Sequence, residues 1–158
     1  MAEQTGRSGP LAGMRVIELA HIMAGPVCGL MLADMGAEVI KVEKMEGDDT
    51  RRTVPPALEG ESAAYMMMNR GKRGLSLDLK NPDGVAVLRR LLANADALIE
   101  NYRGGTMERL GIGYETLRQE FPALVYCSLS GFGLTGPYAD WAGFDLVAQG
   151  MSGLMSVT

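Results

Sequence analysis

Two cysteines and one histidine are all that the 158 residues offer to a disulfide scaffold or a transition-metal site. Cys28 and Cys127 stand far apart and His21 stands alone. No zinc-ligand spacing can be drawn from them, and a disulfide framework would need more cysteines. No stretch approaches the roughly 18 consecutive apolar residues that a membrane helix requires. The opening MAEQTGRSGP has no apolar centre, so it is not a signal peptide. Strong positive charge is missing too: the formal net charge is −4. No broad field would draw nucleic acid or an anionic membrane, and any anion site must be local. These absences imply a cytoplasmic, reducing setting with no bound metal.

What is present is a globular composition, 47% hydrophobic and 22% charged, which excludes a disordered chain. The length suits one domain. Met14–Ala20 is short, apolar and β-branched and reads as a strand, and Glu38–Glu43 reads as a second. Between them Pro26 suits the first turn of a helix that ends at Gly36. A strand, a helix and a strand in so few residues imply a parallel pair. Residues 44–60 are charged and carry proline, so they read as a long loop. Glu61–Asn69 reads as a short helix and Gly74–Leu79 as a third strand. Asn81, Pro82 and Asp83 are an N-cap, an N1 proline and a first-turn acid. Apolar Val85, Leu88, Leu91 and Leu92 follow at helical spacing and carry that helix to about Asn94. Ala97–Glu100 and Leu124–Leu129 read as the fourth and fifth strands, with helices at Thr106–Leu110 and Tyr114–Phe121 between. Phe144–Thr158 is apolar and helix-like. Alternating strands and helices predict an α/β fold: a Rossmann-like, mostly parallel, doubly wound sheet with flanking helices.

Several motifs fail on inspection. Gly131–Gly136 (GFGLTG) matches the dinucleotide fingerprint, but Pro137 follows at once and no helix opens there. No serine carries the flanking glycines of a nucleophile elbow, and no P-loop lysine motif exists. Met66, Met67 and Met68 read as core filling. His21 reads as a strand-end histidine bonded to backbone, because no orienting partner is visible. Basic residues including Lys44, Lys80, Arg103 and Arg109 fall mainly in loops after strands. Ligands of open α/β sheets bind at that end, and clustered cations there suit a phosphorylated molecule.

The run from Leu11 to Pro26 (LAGMRVIELAHIMAGP) resembles the opening of family III CoA-transferases. Five further matches follow in order: Gly36–Glu43 (GAEVIKVE), Asn69–Arg73 (NRGKR), Leu77–Lys80 (LDLK), Glu100–Tyr102 (ENY) and Ser128–Phe132 (SLSGF). Together they cover nearly the whole chain from Leu11.

The polar residues 1–10, with their Gly and Pro, read as a flexible start, and the resemblance speaks for the chain beyond it. Residues 11–158 would be the N-terminal part of a CoA-binding large domain, truncated at its C-terminal end, in an intertwined homodimer. It implies that Met23 and Ala24 line the thioester end of the site. Lys44, Leu77 and Lys80 would lie near the ADP and its 3′-phosphate. Asn101, Tyr102 and Arg109 would hold the pantetheine and pyrophosphate. CoA and its thioesters would be substrates, a carboxylic acid the acceptor, and no cofactor would be tightly bound. The family's nucleophilic aspartate is expected beyond Thr158, so no catalytic residue is assigned within the chain. Racemases of the same superfamily carry a histidine in a Gly-His-Asp triplet. The matching positions here are Gly143, Phe144 and Asp145, which favours transferase over racemase. A non-catalytic CoA- or nucleotide-binding module is the third reading.

Overall fold

The computed structural model describes residues 8–53 and 55–158, so residues 1–7 of the expected flexible start, and Val54, lie outside it. The described chain runs β1 (Arg15–Glu18), α1 (Ala24–Asp34), β2 (Glu38–Glu43), a 3-10 turn at Asp49–Arg52, β3 (Ala57–Leu58), β4 (Glu61–Ser62), α2 (Ala63–Asn69), β5 (Arg73–Ser76), α3 (Pro82–Leu92), β6 (Ala97–Glu100), α4 (Thr106–Arg109), α5 (Tyr114–Glu120), β7 (Val125–Ser128), α6 (Asp145–Met151) and a last 3-10 turn at Leu154–Ser156. Five strands form one sheet in the order β5-β2-β1-β6-β7, and every pairing in it is parallel. Antiparallel pairing is confined to the small β3–β4 hairpin. The expected α/β architecture is therefore present. The chain leaves the central β1 first toward β2 and later toward β6, so the topological switch point lies between β1 and β6. That is where open α/β sheets bind ligands.

The period of two along each strand sends side chains to two separate cores. Ile17 and Leu19 join a cluster closed by Leu88 and Leu92 of α3, Met107 of α4 and Leu117 of α5. Val16 and Ala20 join a second cluster on the other face, closed by Cys28, Leu32 and Ala33 of α1. Each fully buried leucine contributes about 1.5–3 kcal/mol, which is why the heptad-like spacing in α3 decides where that helix lies. Its start follows the sequence: the Asn81 side chain accepts from Asp83 N–H at 3.0 Å with Pro82 next to it. Cys28 and Cys127, remote in sequence, pack against the same cluster. Burial pushes the Cys28 thiol up, and Cys127 adds to it.

Two details differ from the sequence reading, and a third, at Gly131–Gly136, follows it. The 44–60 segment contains a 3-10 turn and the first strand of a hairpin, because Asp48 caps the turn and Ser62 caps α2 by accepting from Tyr65 N–H. The methionine triplet does not fill the core as a unit. Met68 is 5% exposed, whereas Met66 and Met67 are 37% and 63% exposed, since consecutive helical residues face different ways. The Gly131–Gly136 segment opens no helix: the next one begins at Asp145. Its Gly131 instead packs against Gly143, and a Cβ on Gly131 would fall 2.4 Å from the Gly143 Cα.

Candidate functional site

Charges lie inside strands that their neighbours make apolar. Glu18 and Lys41 sit opposite each other in the β1–β2 register. Lys41 Nζ reaches Glu18 Oε1 at 3.1 Å, Asp48 Oδ2 at 2.9 Å and the Ala20 carbonyl at 2.8 Å. Lys72 Nζ lies 2.8 Å from Glu18 Oε2, 2.7 Å from the Pro26 carbonyl and 2.9 Å from Asn69 Oδ1. Each ammonium donates two hydrogen bonds and holds a further carboxylate oxygen at ion-pair distance. None of these four charged side chains is more than 2% exposed. Two acids and two bases leave the cluster neutral, the condition under which buried charge is tolerated.

This cluster underlies the turn from β1 into α1. The Asn101 amide bridges His21: Oδ1 accepts from His21 N–H at 2.9 Å, and Nδ2 donates to the His21 carbonyl at 2.8 Å. The Asp48 carboxylate accepts from Ile22 N–H at 3.3 Å, and from Thr50 N–H and Oγ1–H at 3.0 and 2.8 Å. Ile22 has φ +68°. The His21 ring tilts against Tyr102, centroids 5.3 Å apart. Burial lowers the His21 pKa against the pull of Asp48 and Asp49.

Two concavities open on the surface, one of them at the carboxyl ends of the strands. One, of about 260 Å³, lies between the ends of β1, β2 and β6, with His21, Lys44, Asp49 and Tyr102 on its wall. The other, of about 530 Å³, runs between α3 and α4, where Lys80 and Arg109 converge over Leu79, Pro82 and Leu110.

The chain matches the family model for CoA-transferase family III over residues 11–158. It belongs to that family. It is 54% identical over 165 residues to the succinate–glutarate CoA-transferase of Agrobacterium fabrum, a match covering 100% of this chain and 41% of that protein. It is 43% identical over 150 residues to the succinyl-CoA:glutarate CoA-transferase of Mus musculus, covering 94% and 34%. The crystal structure of a CAIB/BAIF family protein from Brucella suis superposes with a TM-score of 0.92 at 48% identity, covering 96% of this chain and 41% of that one. The chain thus spans well under half the length of these relatives.

The residues singled out from the family pattern divide into separate places. Lys80 and Arg109 share the groove. Lys44 and Tyr102 share the smaller cavity, where Lys44 pairs with Asp49 at 2.8 Å. Met23 and Ala24 stand exposed at the start of α1. Asn101 is occupied by the His21 backbone, and Leu77 packs against the larger core cluster. The sequence reading passed over Glu18, Lys41 and Asp48 and counted Lys72 only among the basic loop residues. For Glu18 and Lys41 the signal was charge at strand positions that a doubly covered parallel sheet keeps apolar, whereas Asp48 and Lys72 lie outside the strands. Among the described residues, no three His, Cys, Asp or Glu side chains converge as metal ligands would. No helix among them is long and apolar enough to cross a membrane.

Beside the cluster, the Glu43 carboxylate receives Arg51 Nε at 2.8 Å, the Tyr65 hydroxyl at 2.6 Å and Asp48 N–H at 2.8 Å. Burial alone would raise the Glu43 pKa; these donors outweigh it and bring it down to about 2. The same contest holds Asp48 at about 2, with Lys41 and Thr50 as donors. A depressed carboxyl pKa adds stability that is complete above the unfolded value, about 4, and vanishes as pH falls through the folded one. Urea midpoints should therefore fall between about pH 4.5 and 2, by on the order of 2 kcal/mol per group, below a shallower decline from about pH 6.5 that the lowered His21 pKa sets. Glu43→Gln should flatten that limb, and a wild-type curve already flat to about pH 2.5 would refute the assignment.

Proposed function

We propose that residues 11–158 supply the CoA-binding part of an enzyme that moves CoA from an acyl-CoA thioester to a carboxylic acid. The observation that carries this reading is that Lys80 and Arg109 line one open groove between α3 and α4, with Arg89 on the same wall. Cations over apolar Leu79, Pro82 and Leu110 suit a phosphorylated ligand with an adenine ring. Met23 and Ala24, just past the end of the central strand β1, would face the thioester. In the expected chemistry an aspartate beyond Thr158 attacks the thioester carbonyl and expels CoA thiolate, leaving a mixed anhydride. The thiolate then attacks the aspartyl carbonyl and releases the donor acid. The acceptor carboxylate displaces CoA from the resulting enzyme thioester, and a second anhydride exchange yields the new acyl-CoA. Both relatives named above pair a succinyl group with glutarate, so dicarboxylates are the first acceptors to assay. An intertwined homodimer in the cytoplasm completes the proposal. The racemase reading loses support at Phe144, since a phenyl ring cannot take a proton from the α-carbon.

Calorimetric titration of the full-length protein with free CoA, and separately with NAD, tests this. CoA should bind, and Lys80→Ala and Arg109→Ala should each weaken it by roughly 10- to 100-fold, the size of a charge-assisted hydrogen bond. Binding of NAD without CoA, or CoA affinity indifferent to both substitutions, would sink the reading.

A further inference from the structure

The β1–α1 turn is fixed in a conformation its own residue disfavours. Ile22 has φ +68°, a region that a β-branched side chain enters only under constraint. Its side chain does not supply the constraint, being 48% exposed. The backbone partners do. The Ala20 carbonyl is held by Lys41, both polar groups of His21 by Asn101, and Ile22 N–H by Asp48. Asp48 is itself immobile, with Thr50 on Oδ1 and Lys41 2.9 Å from Oδ2. Met23, the residue that follows, opens α1, and its carbonyl accepts from Val27 N–H at 2.9 Å. The direction of the Met23 and Ala24 backbone therefore follows from the twist at Ile22.

We propose that Asp48 is a positioning residue for the transfer reaction: it holds Ile22 left-handed and so sets the Met23–Ala24 backbone against the thioester. This rests on the CoA-transfer reading, which puts those two residues at the acyl end. Asp48 acts through the turn: its side chain is fully buried beneath the smaller cavity that the residue helps line with Lys44 and Tyr102. It lies on a different segment from the Lys80–Arg109 groove, so its loss should fall on kcat more than on KM for the acyl-CoA.

The test is made in the full-length protein. Asp48→Ala should lower kcat on the order of 10²-fold, the effect of a misplacement near 1 Å, with a much smaller change in KM. Adding Ile22→Gly should restore kcat by roughly tenfold, because glycine takes positive φ without the strain. Asp48→Asn, which keeps an oxygen for Ile22 N–H, should retain most of kcat. A role limited to neutralising Lys41 predicts the opposite pattern: Asn as harmful as Ala, and no rescue by Ile22→Gly. That pattern would overturn the proposal. If Asp48→Ala does not fold, recovery of folded yield in the double variant supports the proposal, and failure to recover it overturns it. Amide hydrogen exchange over residues 22–24 reads the turn without turnover. It should quicken in Asp48→Ala and slow again in the double variant, and unchanged exchange would overturn the mechanism. A wild-type protein that moves no CoA would remove the functional reading while the exchange result still judged the turn.

Discussion

Lys41→Met will cost the chain about 3–5 kcal/mol, the usual penalty for removing one partner of a buried ion cluster. Methionine keeps the length and apolar stem of the lysine, so the loss isolates the ammonium. It donates to Glu18 Oε1 and the Ala20 carbonyl at 3.1 and 2.8 Å and pairs with Asp48 Oδ2 at 2.9 Å. Without it, two buried carboxylates face one buried ammonium, Lys72. A domain of this size is stable by roughly 5–15 kcal/mol, so about a fifth or more of that margin goes. Urea unfolding of the wild type and variant measures the loss. The charge count makes a second, sharper statement. Glu18→Gln with Lys41→Met leaves Asp48 against Lys72, neutral again, so the double variant should lose less than the two single losses summed. A Lys41→Met loss below about 1 kcal/mol, or strict additivity in the double, would mean that the cluster is hydrated and uncoupled.

The strands and helices were legible because their causes are local. Val16, Ile17, Val39 and Val42 declare strands by β-branching, and Asn81–Pro82–Asp83 declares a helix start by its capping chemistry. The family motifs extended that reading to residues such as Lys80 and Arg109, which the fold brings into one groove although they belong to different segments. What stayed hidden depends on distant pairing. Nothing local says that Glu18 meets Lys72, 54 positions on by subtraction of their numbers, or that Asn101 reaches back 80 positions to His21. The left-handed Ile22 was equally invisible, because isoleucine is the wrong residue for that conformation and only its partners explain it. The one available hint was charge in the middle of apolar strands. Read as loop-end polarity, Glu18 and Lys41 look incidental; read as positions that a covered sheet must bury, they require counter-ions elsewhere in the chain.

The same cluster reverses the ordinary effect of a helix glycine. Gly29 lies inside α1, where replacement by alanine usually adds up to about 1 kcal/mol of stability. Here a Cβ would fall 1.8 Å from Glu18 Oε2, 3.0 Å from its Cδ and 3.4 Å from Lys72 Nζ. A free carboxylate could swing aside. This one cannot, because Lys41 and Lys72 grip its two oxygens and its side chain is fully buried. Gly29→Ala must therefore lift α1 from the sheet or tear Glu18 from an ammonium. Overpacking costs about 1–3 kcal/mol and a broken buried pair about 3–5 kcal/mol, so the expected loss is about 3–5 kcal/mol. Gly74→Ala is the control, since nothing lies within 4 Å of a Cβ there. Its effect should stay near the ±0.5 kcal/mol of about any open surface site. Thermal or urea unfolding of the two variants gives the contrast. Combining Gly29→Ala with Glu18→Asp, one methylene shorter, should recover part of the loss, because the carboxylate then withdraws from the new methyl. If Gly29→Ala unfolds at the wild-type midpoint, α1 does not press on Glu18 and the buried cluster is looser than its distances state. If it fails as expected and the shorter acid restores it, the glycine is there to let a helix close over a charged strand.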